Sequence, residues 1–509
     1  MKGMCDLFTR GSVAMILEKL QRFVKETPDA TALVFEGKRW SYKEMYEGAL
    51  KIASYLAERG FGKGDIVAQY MLNSDYFMFV YYGVQLSGAT VMPVNTKLAA
   101  PEVAYIFEHS QARGLIFDER LSSTVEAVGA KFELQLNREN VASIVAGEQA
   151  AYEAPEIERE DVAVVMYTSG TTGKPKGVML SHDNIGQTAE IWSESMNMTA
   201  NDRMFICTPL FHCAGSHVFA VPTHSVGGAV IVEEAFSPDQ TLGQLVATEA
   251  TIFFGVPAMY TILLSKPELA NYSFDHLRLF CYGAAPMPYE LVKRLKDTFP
   301  KVAVQNLYGQ TENTPATSSL LDDAALVKIG SVGKPLARTE VKLVDPNGEE
   351  VPVSEVGEIC VKGPQVMQGY LRAPEETAKT VVDGWLYSGD LGKFDEEGYL
   401  YIVDRKKDMI IRGGENIYPI EVEEVLYQMP EVLEAAVVGV PHEVYGEVPK
   451  AFVVPKEGVT LTEEDVLAFC KDRLAKYKLP YEVDFMEELP RNASGKVLKH
   501  TLRPKMEQV

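Results

Sequence analysis

No stretch of about 18 uncharged apolar residues occurs in this 509-residue chain, so no membrane-spanning helix is expected. The first apolar run is broken by Glu18 and Lys19, too early for the core of a secretory signal. Excess positive charge is also missing. With 49 Lys and Arg against 71 Asp and Glu the net charge is −22, which argues against a nucleic-acid binder and means that any anionic ligand must be met by local cations. The six cysteines, at positions 5, 207, 213, 281, 360 and 470, form no CxxC pair and no metal-like spacing, so reduced, buried thiols are expected. Repeats and low-complexity tracts are absent. The last residues, "PKMEQV", match neither a peroxisomal address nor a prenylation box. These absences lead to the expectation of a cytoplasmic protein with at most peripheral membrane contact.

What is present is 46% hydrophobic residues over a length that exceeds one ordinary domain, enough for more than one core. Short apolar runs such as "DIVAQYML" (65–72), "ATVMPVN" (89–95), "DVAVVMYT" (161–168) and "ATIFFGV" (250–256) alternate with helical stretches such as "SYKEMYEGALKIASYLAERG". That alternation predicts an α/β fold with buried, largely parallel strands. From about residue 338 the texture changes to short strands and tight turns, as in "EVKLVDPNGEEVP" and "GYLYIVDRKK", which predicts an antiparallel, barrel-like subdomain over 338–406. Residues 407–509 predict a compact α+β unit. The expected division is therefore a large domain, 1–406, and a small one, 407–509.

One stretch stands apart. Residues 167–177, "YTSGTTGKPKG", hold three Gly, two Lys and four small hydroxyl side chains. Glycines let backbone N–H groups approach an anion closely, and hydroxyl and ammonium groups add donors, so a phosphate chain is the expected ligand. It is not a Walker A loop: the position of that motif's first Gly holds Thr168, and Pro175 stands at its Ser/Thr site. The string resembles instead the signature of the adenylate-forming superfamily of acyl-CoA synthetases, aryl-CoA ligases, luciferases and peptide-synthetase adenylation domains. Four further motifs of that family follow in order, "YGQTE" (308–312), "YSGD" (387–390), "DRKKDMIIRGGENIYP" (404–419) and "PRNASGKVLK" (490–499). The resemblance covers the whole chain and is strongest to bacterial fatty-acyl-CoA synthetases.

The resemblance implies a fold of αβαβα layers plus a barrel-like subdomain, a mobile C-terminal domain, and ATP, Mg²⁺ and coenzyme A as cofactors. It gives Thr168, Ser169, Gly170, Thr171, Thr172, Gly173, Lys174 and Lys176 to the phosphates. Tyr308 and Gly309, with the turn Gly283, Ala284, Ala285 and Pro286, enclose the adenine; an aromatic face and a close backbone suit that base. Thr311 contacts phosphate and Glu312 holds Mg²⁺, a hard cation that takes oxygen ligands. Asp390 accepts from the ribose hydroxyls, with Arg405 as a further donor. Lys407 is the hinge, and Gly413 and Gly414 let the pantetheine arm of CoA pass. Lys496 holds carboxylate and α-phosphate together, and His212 stands beside the acyl pocket, where some relatives carry a Trp gate at the position of Ser216.

The implied reaction has two steps: a carboxylate attacks the α-phosphate of ATP to give acyl-AMP and pyrophosphate, and the CoA thiol then displaces AMP. A medium- or long-chain fatty acid is the expected substrate, on the small residues around 213–216 and the stretch "FFGVPAMY" (253–260). The alternatives are an aryl-CoA ligase of benzoate or coumarate type, a stand-alone enzyme loading a carrier protein, a luciferase-like oxygenase and a non-catalytic nucleotide-binding module. Glu312 and Lys496 argue against the last, and the 13 residues after Lys496 leave no fused carrier in this sequence. A homodimer is compatible with all of them.

Overall fold

The computed structural model describes residues 15–148, 152–168, 174–285, 287–406, 408–413, 415–471, 473–491 and 497–503. It is a mixed α/β protein of two compact units, one formed by residues 1–341 with 361–386 and the other by 342–360 with 387–509.

The larger unit is built on two sheets. In one, the strands Thr90–Pro93, Ile66–Tyr70, Gly114–Phe117 and Leu134–Asn137 run parallel, and Val162–Thr168 joins alongside Thr90–Pro93. In the other, Thr31–Phe35, Ala229–Val232, Arg203–Ile206, Ile252–Gly255, Leu279–Gly283 and Ala303–Tyr308 form a parallel run. Their residues are almost continuously apolar because both faces are covered, as the short apolar runs predict. The helix Asp75–Leu86 buries eleven of its twelve residues, so it too is covered all round. The helix Tyr42–Ala57 starts at a reciprocal cap: the Glu44 N–H donates to Ser41 Oγ at 3.2 Å and the Ser41 N–H to the Glu44 carboxylate at 2.8 Å.

The smaller unit contains most of the strands in the order Glu340–Val344, Gly357–Lys362, Trp385–Phe394, Leu400–Arg405, the last two of them antiparallel. Its second sheet runs Glu415–Ile417, Ile410–Arg412, Gly446–Pro455, Val432–His442, with Glu482–Phe485 beside Gly446–Pro455. The helices Pro419–Tyr427 and Glu463–Lys471 contribute Val422, Leu426 and Val466 to its core. Asp404, at the end of one sheet, accepts the Ile420 N–H at 3.1 Å, which ties the expected subdomain to the residues that follow 407. By compactness, then, 342–360 and 387–406 group with the C-terminal residues. No described helix is long and apolar enough to cross a membrane.

Candidate active site

The stretch expected to bind phosphate lies between two antiparallel strands. Val162–Thr168 leads in and Lys176–Ser181 returns, with Tyr167 opposite Gly177 and Thr168 opposite Lys176. Ser169, Gly170, Thr171, Thr172 and Gly173 lie outside the described residues. The chain continues from this stretch into the strand Lys176–Ser181, where a P-loop would continue into a helix. Gly177 is required by packing: a Cβ there would meet Tyr167 Cζ at 3.2 Å and Leu371 Cβ at 3.3 Å. Tyr167 in turn is anchored by a 2.7 Å hydrogen bond to His109 Nδ1, and Tyr105 stacks on that imidazole. Lys174 lies over the Tyr105 ring at 5.6 Å from its centre. Lys176 is engaged elsewhere, paired with Glu376 at 2.8 Å and set 5.0 Å from the centre of the Tyr370 ring.

The residues expected at the adenine, Gly283 to Ala285, and the "YGQTE" stretch come together because their strands are neighbours. Gly283 pairs in register with Leu307, so the chain leaves both strands at the same carboxyl edge, where open parallel sheets bind ligands. A Cβ on Gly283 would lie 2.5 Å from the Leu307 carbonyl oxygen. The next residue, Ala284, holds φ at +65°, a left-handed conformation that costs a non-glycine residue on the order of 1 kcal/mol and is concentrated at ligand sites. Gly309 admits no side chain, since a Cβ would approach the Pro315 carbonyl carbon to 2.3 Å. Pro286 lies outside the described residues.

Beyond Gly309 the turn Thr311–Asn313 is locked from several sides. The Gln310 N–H donates to Asn313 Oδ1 at 2.9 Å, and Thr314 Oγ1 donates to the Gln365 carbonyl at 2.7 Å. Glu312 is held by its backbone, which accepts the Met367 N–H at 2.8 Å, and by its carboxylate, where Oε1 accepts the Tyr370 hydroxyl at 3.0 Å. Burial and the Glu312 charge push the Tyr370 phenol well up, so it remains a donor. Thr311 Oγ1 lies 3.2 Å from Cys213 Sγ, and that sulfur is 3.9 Å from His212 Nδ1, which brings His212 beside the turn. Desolvation lowers the half-buried His212, keeping it neutral at pH 7. Burial pushes the Cys213 thiol up to about 11, so it is no nucleophile. The carboxylate of Glu312 and hydroxyl of Thr311 fit Mg²⁺, which binds through one or two carboxylates plus substrate phosphates and water.

In the smaller unit Asp390 stands opposite Arg405 across two strands, with Arg405 Nε 3.0 Å from Asp390 Oδ1. Within the same strand Gly389, at φ +72°, donates its N–H to Glu358 at 3.1 Å; Glu358 also takes Lys406 at 2.8 Å. Gly413 adopts φ +60° and donates its N–H to the Tyr445 carbonyl at 2.8 Å. Lys407, Gly414 and Lys496 lie outside the described residues.

Tyr370 and Glu358 carry no signal as site residues in the sequence, and nothing in it pairs Cys213 with Thr311, because each meets its partner only through folding. The small residues expected to leave room for an alkyl chain are taken up by packing. A Cβ on Gly215 would strike the Pro209 carbonyl oxygen at 2.4 Å, Ser216 donates to the His212 carbonyl at 3.1 Å, and Cys213 faces Thr311. Phe253, Met259 and Tyr260 of "FFGVPAMY" belong to a hydrophobic core.

The model of the AMP-binding enzyme family matches residues 20–371, and that of the AMP-binding enzyme C-terminal domain matches 421–496. The chain belongs to the AMP-binding enzyme family. Among its relatives is a feruloyl-CoA synthase of Amycolatopsis sp, 38% identical over 95% of this chain and 97% of the relative. Solved structures of the family include the Mycobacterium tuberculosis fatty acyl CoA synthetase, 33% identical with a TM-score of 0.80 over 96% of this chain and 97% of the other. The O-succinylbenzoate coenzyme A synthetase from Bacillus subtilis, in complex with ATP and magnesium ion, is 33% identical with a TM-score of 0.86 over 95% and 98%. As a member of this family the protein is an AMP-forming acid–thiol ligase that uses ATP and CoA.

Three buried histidines of the larger unit give this ligase a distinct acid response. Burial lowers His182 to about 4, His217 to about 3 and His224 to about 4. Each is neutral in the fold and protonates freely once unfolded, so its contribution to stability is complete above the unfolded value of about 6.5 and is lost as pH falls towards the folded value. Between pH 6 and 4.5 each should remove up to about 1.4 kcal/mol per pH unit. Urea unfolding across that range should show His217→Gln with a slope shallower by one proton than the wild type; identical slopes would contradict the assignment.

Proposed function

We propose that this ligase activates an aryl carboxylic acid, of hydroxycinnamate or benzoate type, to its CoA thioester. The observation that carries the choice over a straight-chain acid is that Cys213, Gly215 and Ser216 are used in packing and hydrogen bonding, which removes the sequence argument for an open alkyl channel. The names of the feruloyl-CoA synthase and the O-succinylbenzoate synthetase support the same reading. A medium- or long-chain fatty acid is the second reading, supported by the name of the M. tuberculosis synthetase.

In this reading the adenine lies between Tyr308 and the turn at Gly283–Ala285, while Thr168, Lys174 and the residues between them surround the phosphates. Asp390 accepts from both ribose hydroxyls, with Arg405 steadying it. Mg²⁺, when bound, spreads the charge of the departing pyrophosphate, and Glu312 is its protein carboxylate. Thr311 is oriented by Cys213 to donate to a phosphate oxygen, and neutral His212 orients the acid's carboxylate for attack. Lys496 stabilises the charge that grows at phosphorus. A hinge at Lys407 then withdraws Lys496 and brings Gly413 and Gly414 to the thiol-bearing arm.

Pyrophosphate exchange with ferulate, coumarate, benzoate, 2-succinylbenzoate, octanoate and palmitate tests the proposal. The best aryl acid is expected to exceed the best straight-chain acid at least roughly tenfold in kcat/KM, a difference of about 1.4 kcal/mol. A tenfold preference the other way would establish the fatty-acid reading, and release of ADP instead of AMP would overturn the scheme altogether.

A further inference from the structure

The segment 364–371 carries none of the five family motifs, yet it touches both halves of the phosphate site. Its backbone forms a short antiparallel strand on the strand that returns from the phosphate loop: Gly369 pairs with Met179, Tyr370 with Val178, and the Leu371 N–H donates to the Gly177 carbonyl at 2.7 Å. Four residues before Leu371, the Met367 N–H donates to the Glu312 carbonyl at 2.8 Å. Asn184, on the helix after the returning strand, donates to the carbonyls of Pro364 and Val366 at 2.7 and 2.9 Å. The geometry leaves little freedom at Tyr370. Its N–H donates to Thr377 Oγ1 at 2.8 Å, and Gly369, at φ +146°, lies so close that a Cβ would meet Thr377 Cγ2 at 2.7 Å.

The Tyr370 side chain is buried; its hydroxyl donates to Glu312 Oε1 at 3.0 Å and also hydrogen-bonds the Thr380 side chain. Lys176, from the base of the phosphate hairpin, covers the ring at 5.0 Å and pairs with Glu376, so the ring is fixed on its open side. We propose that Tyr370 is the positioning residue for the Glu312 carboxylate, holding one oxygen by its hydroxyl and thereby directing the other to the metal, and that Lys176 acts here as the ring's support. The inference rests on the reading of Glu312 as the magnesium ligand. A partner that orients a ligating carboxylate is worth roughly tenfold or more in metal affinity, because without it the side chain samples several rotamers and loses basicity.

The test measures thermodynamic coupling between metal and nucleotide without turnover. ATP is titrated into the full-length protein by calorimetry, with no acid substrate, once in saturating Mg²⁺ and once in EDTA, and the ratio of the two affinities is the metal enhancement. Tyr370→Phe keeps the buried ring and removes only the hydroxyl. It should lower the enhancement roughly tenfold and leave the affinity in EDTA unchanged. Glu312→Gln should abolish most of the enhancement. If Glu312→Gln retains it, the reading of Glu312 fails and the role of Tyr370 with it. If Glu312→Gln loses it while Tyr370→Phe keeps it, the positioning role alone is overturned. A Tyr370→Phe protein that binds ATP more weakly to the same degree with and without metal would mark the hydroxyl as structural and overturn the proposal.

Discussion

Replacing Lys496 with alanine is expected to slow acyl-AMP formation by roughly a hundredfold or more, the loss seen when a preorganised donor is removed from a developing charge. Thioester formation from supplied acyl-AMP and CoA should survive nearly intact. The reason is that the two half-reactions ask different things of the enzyme. In the first, an oxygen of the acid adds to phosphorus while pyrophosphate leaves, and negative charge accumulates on oxygens that a fixed ammonium group can stabilise. In the second, a thiol adds to an already activated carbonyl and AMP departs. A lysine of a mobile C-terminal domain could serve the first step and be withdrawn for the second. Lys407→Pro is expected to act in the opposite sense, because fixing φ at the hinge obstructs the rotation and leaves adenylation possible. Pyrophosphate exchange and CoA consumption from presynthesised acyl-AMP measure the two steps separately. Equal slowing of both by Lys496→Ala would mean a single static site.

Asp390→Ala is expected to weaken ATP binding by about 3 kcal/mol, roughly a hundredfold, with the affinity for the acid unchanged. One carboxylate can accept from two vicinal hydroxyls at once, and a hydrogen bond to a charged group is worth more than a neutral one. The structure prepares Asp390 for that work: it is 4% exposed, follows a left-handed Gly389, and is held by Arg405 at 3.0 Å. Arg405→Ala should therefore produce a smaller loss in the same direction. Calorimetric titration of ATP and of the acid into each variant separates the effects. A parallel loss for both ligands would point to a disturbed fold and would remove the ribose role.

The larger features were legible because they are local. Alternating strands and helices announced the α/β class, since a strand buried on both faces must be apolar along its length. The antiparallel texture after residue 338 was legible from turn residues spaced at short intervals. The small residues of 213–216 show where a local reading stops. Size alone does not say whether a side chain is small to make room for a ligand or to let two backbones meet, and at Gly215 the Pro209 carbonyl decides for the second. Lys176 shows the same limit: the local sequence points to an anion, and only the fold reveals its ion pair with Glu376, 200 positions away in the chain.

By itself the sequence determined the family and hence the chemistry, because five motifs in order specify which residue types must surround a nucleotide and a carboxylate, whatever their packing. The tertiary structure alone decided how those residues are held. Gly283 lies against Leu307 on the neighbouring strand, and Ala284 after it is left-handed. Thr311 meets Cys213 across 98 positions of sequence, and Glu312 meets Tyr370 across 58. Contacts at such separations depend on the register of sheets and the path of loops between them, and no local pattern of residues encodes either.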